Sequence, residues 1–228
     1  MLGTFEFGAT TWDIETNNPE CISYNSIYFV DYASNTIKLR SIDKQQNEIS
    51  KQIILQNLYA AWVSLVIKSF RGKYDSVMID SFLQPFGASL LQITNTLKLQ
   101  DNLEGNVQIG GNTWTISMDN QTCDRNDSLG ECYNYTPKII FTNQYTISRR
   151  VTNSSILCTI YHELVHAALV NLYCIELNED ETFVNLVSVF YHQFVKTLKF
   201  EDECKVDDLA IEVWSNKGKE SMYVELTQ

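Results

Sequence analysis

The chain has 228 residues and a net charge of −11, with 44% apolar and 12% aromatic side chains, three prolines and nine glycines. That composition excludes a fibrous chain and an acidic disordered one, and it supplies enough apolar surface for a folded core. No apolar run approaches the ~18 residues of a membrane span, and Met1 to Gly8 lacks the basic start and apolar stretch of a signal peptide, so a cytoplasmic location and no membrane partner are expected.

Charge is placed unevenly. Residues 1 to 100 carry 8 basic and 9 acidic groups, whereas residues 101 to 228 carry 9 and 19. An acidic surface repels phosphate backbones and the longest basic run is Arg149-Arg150, which argues against nucleic acid as a partner. The six cysteines contain no C-x-x-C pair and read as free thiols. Cys123 and Cys132 are close enough in sequence for a second metal site, but small buried apolar residues are the simpler reading.

Taken in chain order, the sequence is written twice. Phe7-Gly-Ala-Thr-Thr-Trp-Asp-Ile14 matches Ile109-Gly-Gly-Asn-Thr-Trp-Thr-Ile116 at an offset of 102, with Gly, Thr, Trp and Ile identical. The β-branched runs Asn35 to Leu39 and Thr136 to Ile140 follow, both of strand type. Gln56 to Val63 then falls opposite His162 to Leu169 at an offset of 106. Finally Asp80-Ser-Phe-Leu83 lies against Glu181-Thr-Phe-Val184, and Gln92, Thr96 and Leu97 recur as Gln193, Thr197 and Leu198, all at 101. The changes of offset fall where loops are expected, around Asp124 to Gly130 and at Arg71 to Asp75.

The expected fold class is therefore α+β: a tandem duplication of a small antiparallel sheet packed on two helices. Residues 1–100 form the first copy, 101–200 the second, and 201–228 an acidic extension with helical spacing from Asp207 to Trp214. In the second copy, strands are expected near Val107 to Met118, turning at Gly110-Gly111, and at Lys138 to Thr142. One helix should run from Ser154 or Ser155 to Leu172, capped by Asn153 or Ser154, with Ile156, Ile160, Leu164 and Leu169 at helical spacing. A second should open in Asn178-Glu-Asp-Glu181 and continue to about Leu198, with Phe183, Val184, Val187, Tyr191 and Phe194 on its apolar stripe.

The residues that carry chemistry are His162-Glu163-Leu164-Val165-His166. Histidines at i and i+4 project from one helix face, close enough for both imidazoles to bind one Zn²⁺, and the glutamate between them is placed to take a proton from a water on the metal. The uncharged flanks, Thr159 to Tyr161 and Ala167-Ala168, suit a helix buried beneath a metal. A catalytic zinc needs a third protein ligand and an open position. The metzincin pattern would place glycine and histidine where Leu169 and Leu172 stand, which excludes that branch. Glu176, Glu179, Glu181 and His192 remain as candidates. Glu181 is favoured because it lies in the helical register and has Asn185 one turn later, whose amide oxygen suits the free N–H of a ligand histidine. His192 returns to the same helix face and reads either as an oxyanion stabiliser or, more simply, as a packing residue. In the first copy Gln56, Asn57 and Ala60 face the metal-binding positions and Asp80 faces Glu181, so that copy is expected to hold no metal.

His-Glu-x-x-His followed about fifteen residues on by Asn-Glu-Asp-Glu-x-Phe-Val-Asn resembles the small phage and prophage metallopeptidases of the gluzincin kind, akin to the ImmA/IrrE group. Gly130-Glu131-Cys132 and the strand Lys138 to Thr142 are similar to that family too, and the resemblance covers roughly residues 103 to 198. It implies a zincin-like active-site helix in the second copy, with His162, His166 and Glu181 as zinc ligands and Glu163 as general base. It further implies a protein or peptide substrate and, for a phage-encoded chain, the bacterial host cytoplasm. The other function class the sequence leaves open is a non-catalytic binding or inhibitory module of phage origin with a structural zinc.

Overall fold

The computed structural model describes residues 2–43, 45–70, 74, 80–146 and 149–200. The acidic extension, with its expected helix from 207 to 214, lies outside them. In the first repeat the order is β1 (Gly3–Phe7), β2 (Thr10–Thr16), α1 (Asn18–Ser23), β3 (Tyr28–Asp31), β4 (Thr36–Leu39), α2 (Lys51–Ser69), α3 (Asp80–Thr96) and β5 (Lys98–Leu99). The second repeat runs β6 (Gly105–Ile109), β7 (Asn112–Met118), α4 (Asn120–Asn126), β8 (Gly130–Tyr133) and β9 (Lys138–Phe141). A short hairpin, β10 (Gln144–Thr146) and β11 (Arg149–Arg150), leads to α5 (Asn153–Asn171), α6 (Ile175–Glu179), α7 (Glu181–Thr197) and β12 (Lys199–Phe200). The fold is α+β, two small sheets packed on helices. Each sheet is mixed rather than wholly antiparallel, because β2 pairs β4, and β7 pairs β9, in parallel. The crossover that each parallel pair requires runs through α1 and β3 in the first repeat and through α4 and β8 in the second.

Strand register repeats residue for residue. Gly3 to Phe7 pair with Ile14 to Thr10, and Gly105 to Ile109 with Ile116 to Asn112, an offset of 102 throughout. The long helices keep the same offset: α2 is capped by Ser50 and α5 by Thr152, whose hydroxyl accepts from Ser155 N at 3.2 Å. This places Tyr59 opposite Tyr161 and Val63 opposite Val165, all four buried. The expected offset of 106 for these helices is thus corrected to 102. A four-residue slip is about one helical turn and leaves every side chain on nearly the same face, so the pattern of apolar positions tolerates either alignment. The first-repeat counterparts of His162, Glu163 and His166 are Ala60, Ala61 and Ser64, not Gln56, Asn57 and Ala60.

The repeats interlock. The strand orders are β12-β1-β2-β4-β3 and β5-β6-β7-β9-β8, so each repeat's last strand completes the other's sheet. The residues that recur at the ends of α3 and α7 make this exchange. Thr96 Oγ1 accepts from Gln108 N at 3.0 Å and Gln92 Oε1 from Gly110 N at 3.0 Å. Likewise, Thr197 Oγ1 accepts from Glu6 N at 2.9 Å and Gln193 Oε1 from Gly8 N at 3.1 Å. Each bond satisfies an N–H of a hairpin that belongs to the other repeat. One buried apolar cluster runs through both repeats, and Thr94 joins three of the helices by hydrogen bonds to Tyr59 at 3.0 Å and Tyr191 at 2.9 Å. No helix among the described residues is long and apolar enough to cross a membrane.

Candidate metal centre

Helix α5 is apolar nearly all round, with Ile156, Ile160, Leu164, Val165, Ala167, Ala168 and Leu169 buried. A helix of that character sits inside its domain, and the two histidines emerge from it on the side facing α7. Asp180 caps α7 by accepting from Thr182 N at 3.1 Å and Phe183 N at 3.2 Å. That cap fixes Glu181 as the first residue of the helix, where its carboxylate also complements the helix dipole.

The two helices bring three donor groups to one point. His162 Nε2 and His166 Nε2 are 3.0 Å apart. Glu181 Oε2 lies 3.3 Å from the first of these nitrogens and Glu181 Oε1 3.4 Å from the second. Tetrahedral zinc, with bonds of about 2.0–2.1 Å to nitrogen and oxygen, holds its donors roughly 3.3 Å apart. The separations are close to that figure, with one carboxylate oxygen toward each imidazole, and two imidazoles with one carboxylate form a donor set suited to zinc. Among the described residues this is the group of three or more metal-ligating side chains whose donor atoms converge, and Glu176, Glu179 and His192 are not in it. The histidine side chains are recessed at 19% and 13% exposure while Glu181 is 65% exposed, so the cluster opens to solvent on the glutamate's side.

Partners outside the cluster orient the imidazoles. Asn185, one turn beyond Glu181, stands beside His162 and its side chain pulls that imidazole's pKa upward. Asn178 Oδ1 lies 3.0 Å from His166 Nδ1. Such contacts fix the ring and leave the other nitrogen to face a metal. Asn178 went unassigned at the sequence level, where it reads as the opening of a helix. It belongs instead to the short α6, twelve positions from His166, and no local spacing links the two. Burial, then the neighbouring His166, pushes the pKa of His162 down, against the opposing pull of Glu181 and Asn185. That shift favours the neutral imidazole, which is the form that binds metal.

Glu163 is only 6% exposed. It lies beneath the edge strand β8: a Cβ built on Gly130 would stand 3.1 Å from Glu163 Cγ and 2.5 Å from Thr159 Cγ2, so glycine is what lets the strand pass this close. Burial, followed by the charges of Glu181 and Glu131, raises the Glu163 carboxyl to about 8. Glu131 has the opposite balance, since hydrogen bonds from Tyr133, Ser128 and Asn126 outweigh its desolvation and hold its pKa down.

Comparison with protein-family models, curated proteins and solved structures finds no match. What the site can do therefore rests on its own geometry. His192 is stacked on Tyr161 with ring centres 4.9 Å apart, and its Nδ1 lies 3.9 Å from Cys158 Sγ. In the first repeat, Gly87 stands where α7 has Ser188, and a Cβ there would fall 2.5 Å from Ala60 N. Helices α2 and α3 thus close together at the position that His162 occupies in the second repeat. The five described cysteines are free.

Proposed function

We propose that the chain is a zinc-dependent peptidase of the gluzincin type, with His162, His166 and Glu181 as metal ligands and Glu163 as general base. The observation that carries this reading is the convergence of two imidazole nitrogens 3.0 Å apart with the Glu181 carboxylate, whose two oxygens lie 3.3 and 3.4 Å from them, beside the buried Glu163, which is not part of the cluster. A purely structural zinc site has four protein ligands and no use for a base. Bound there, zinc supplies a Lewis acid and brings the pKa of a coordinated water to about 7.

The side chains do the rest. His162 and His166 are held in orientation by Asn185 and Asn178. Glu163 is buried enough to carry a proton near neutral pH, while a dication beside it favours its carboxylate form. It therefore accepts the proton of the attacking water and returns it to the leaving amine. Strand β8, at the edge of its sheet, crosses over Glu163, and an edge strand is a template on which an extended peptide adds by main-chain hydrogen bonds. Metal analysis of the purified chain should find one zinc. Glu163→Gln should keep that zinc and lose peptide hydrolysis; a variant that hydrolyses at the wild-type rate, or a chain that takes up no zinc, overturns the proposal.

A further inference from the structure

Helix α7 has three faces. Glu181 and Asn185 look toward the histidines of α5, and Phe183, Val187, Tyr191 and Phe194 are buried in the core. The third face should be polar if water were its only neighbour. It carries Leu186, Val189 and Phe190 instead, with Val189 59% exposed. Opposite these stand Phe70, at the end of α2 and 42% exposed, and Tyr74, whose hydroxyl donates to Asp180 Oδ2 at 3.1 Å. Together they line a cleft of about 650 Å³. One wall comes from each repeat, and the Tyr74 bond ties the first repeat's wall to the residue that caps the ligand-bearing helix.

Asn185 also lines this cleft. Asn185 lies one turn beyond Glu181 on α7, so the rim of the apolar cleft adjoins the end of the helix that carries the metal-cluster carboxylate. We infer that the cleft is the subsite for a large apolar side chain, aromatic above all, of the peptide whose scissile bond lies at His162, His166 and Glu181. This rests on the peptidase reading of the metal centre. The first repeat then contributes to recognition, because it supplies Phe70 and Tyr74 as half of a specificity pocket. Exposed apolar surface of this kind, rimmed by polar groups, is what binding sites retain.

The test uses the full chain loaded with zinc and two probes, acetyl-Ala-Ala-Phe-Ala-Ala-amide and the same peptide with alanine in place of phenylalanine. The phenylalanine peptide should be cut beside that residue with a kcat/KM about ten- to a hundredfold above the alanine peptide. Phe70→Ala and Val189→Ser, both at exposed positions, should each reduce that ratio about tenfold while the zinc content and melting temperature stay at wild-type values. Equilibrium binding of both peptides to Glu163→Gln gives a readout without turnover and should show the same order. Cleavage with no preference between the peptides removes the subsite and leaves the peptidase. Preferential binding without cleavage keeps the apolar site and removes the peptidase, and neither binding nor cleavage removes both. An unchanged ratio in the two variants, or a dimer of the chain that Val189→Ser dissolves, also overturns the inference.

Discussion

The two repeats share their strand registers, their helix caps and their offset of 102 through the first four strands of each and the first long helix, yet only the second gathers metal-ligating side chains among the described residues. The difference lies in the residues at the corresponding positions and in what stands where the two helices cross. In the second repeat α5 and α7 leave room between them for two imidazoles and a carboxylate. In the first, Ala60 and Gly87 let α2 and α3 approach until not even a methyl group fits. Two copies of one scaffold can thus differ at a helix crossing with no change to their sheets. The strand exchange and shared core bind the copies together whether or not each holds a metal.

The largest expected effect separates chemistry from metal binding within the second repeat. Glu163→Gln should lower kcat for peptide hydrolysis by about a hundred- to ten-thousandfold, with zinc content measured by atomic absorption remaining at one per chain. The corresponding position of the first repeat is Ala61, which has no acid–base group. Retention of activity would mean that the base lies elsewhere and that the contrast between Glu163 and Ala61 carries no function.

Next come the helix crossings. Gly87→Val must push α3 away from α2 backbone, and overpacking of this kind costs about 3 kcal/mol. Ser188→Gly, the mirror change in the second repeat, removes a side chain from a looser crossing and costs about 1 kcal/mol through helix propensity. Urea denaturation of both variants measures the difference. Equal destabilisation would show that the two crossings are not as unlike as their geometry indicates.

Much of this was legible in the sequence, and the omissions have physical causes. His162, Glu163 and His166 follow from local helical spacing, and Glu181 from its place in the register of the next helix. The duplication could be read because Gly, Trp and Ile recur where a hairpin turn and a buried strand face need them. The offset of the first long helices slipped by one turn because a helix that is apolar nearly all round gives almost no phase signal. Asn178 was missed because its partner is twelve residues away across a bend, and the strand exchange because pairing across 197 residues, as between Gly3 and Phe200, leaves no periodic trace. Gln92, Thr96, Gln193 and Thr197 did carry a signal: polar residues repeated at the end of an apolar helix are kept for specific partners, here the hairpin of the other repeat.

A third measurement bears on the ligand set. Glu181→Gln should reduce zinc affinity about ten- to a hundredfold, and Asn178→Ala or Asn185→Ala about tenfold each, because freeing the orientation of a ligand histidine weakens its bond to the metal. Asp80→Asn, the first-repeat counterpart of Glu181→Gln, should leave affinity and stoichiometry unchanged. Competition with a chromophoric chelator reads all four. Loss of zinc in the Asp80 variant would place a metal site in the repeat that closes its helices together.

The smallest effect concerns the proton on Glu163 and needs the metal-free chain. Burial, with help from Glu181 and Glu131, raises this carboxyl to about 8, whereas a glutamate in an unfolded chain titrates near about 4.3. Between those values the folded protein holds a proton that the unfolded chain has released, so the contribution to stability is complete below the lower value and disappears as pH climbs through the higher one. Glutamine at this position does not titrate. The melting temperature of metal-free Glu163→Gln should therefore equal that of wild type below about pH 4 and exceed it by a margin that grows as pH rises toward 8. The lowered pKa of His162 acts in both proteins and cancels in the difference. Zinc should shrink the gap, because a nearby dication stabilises the carboxylate that burial disfavours. The first repeat has no acid at this place and adds nothing to the slope, so a gap that stays constant with pH would show that Glu163 is not held in the dry setting that sets the two repeats apart.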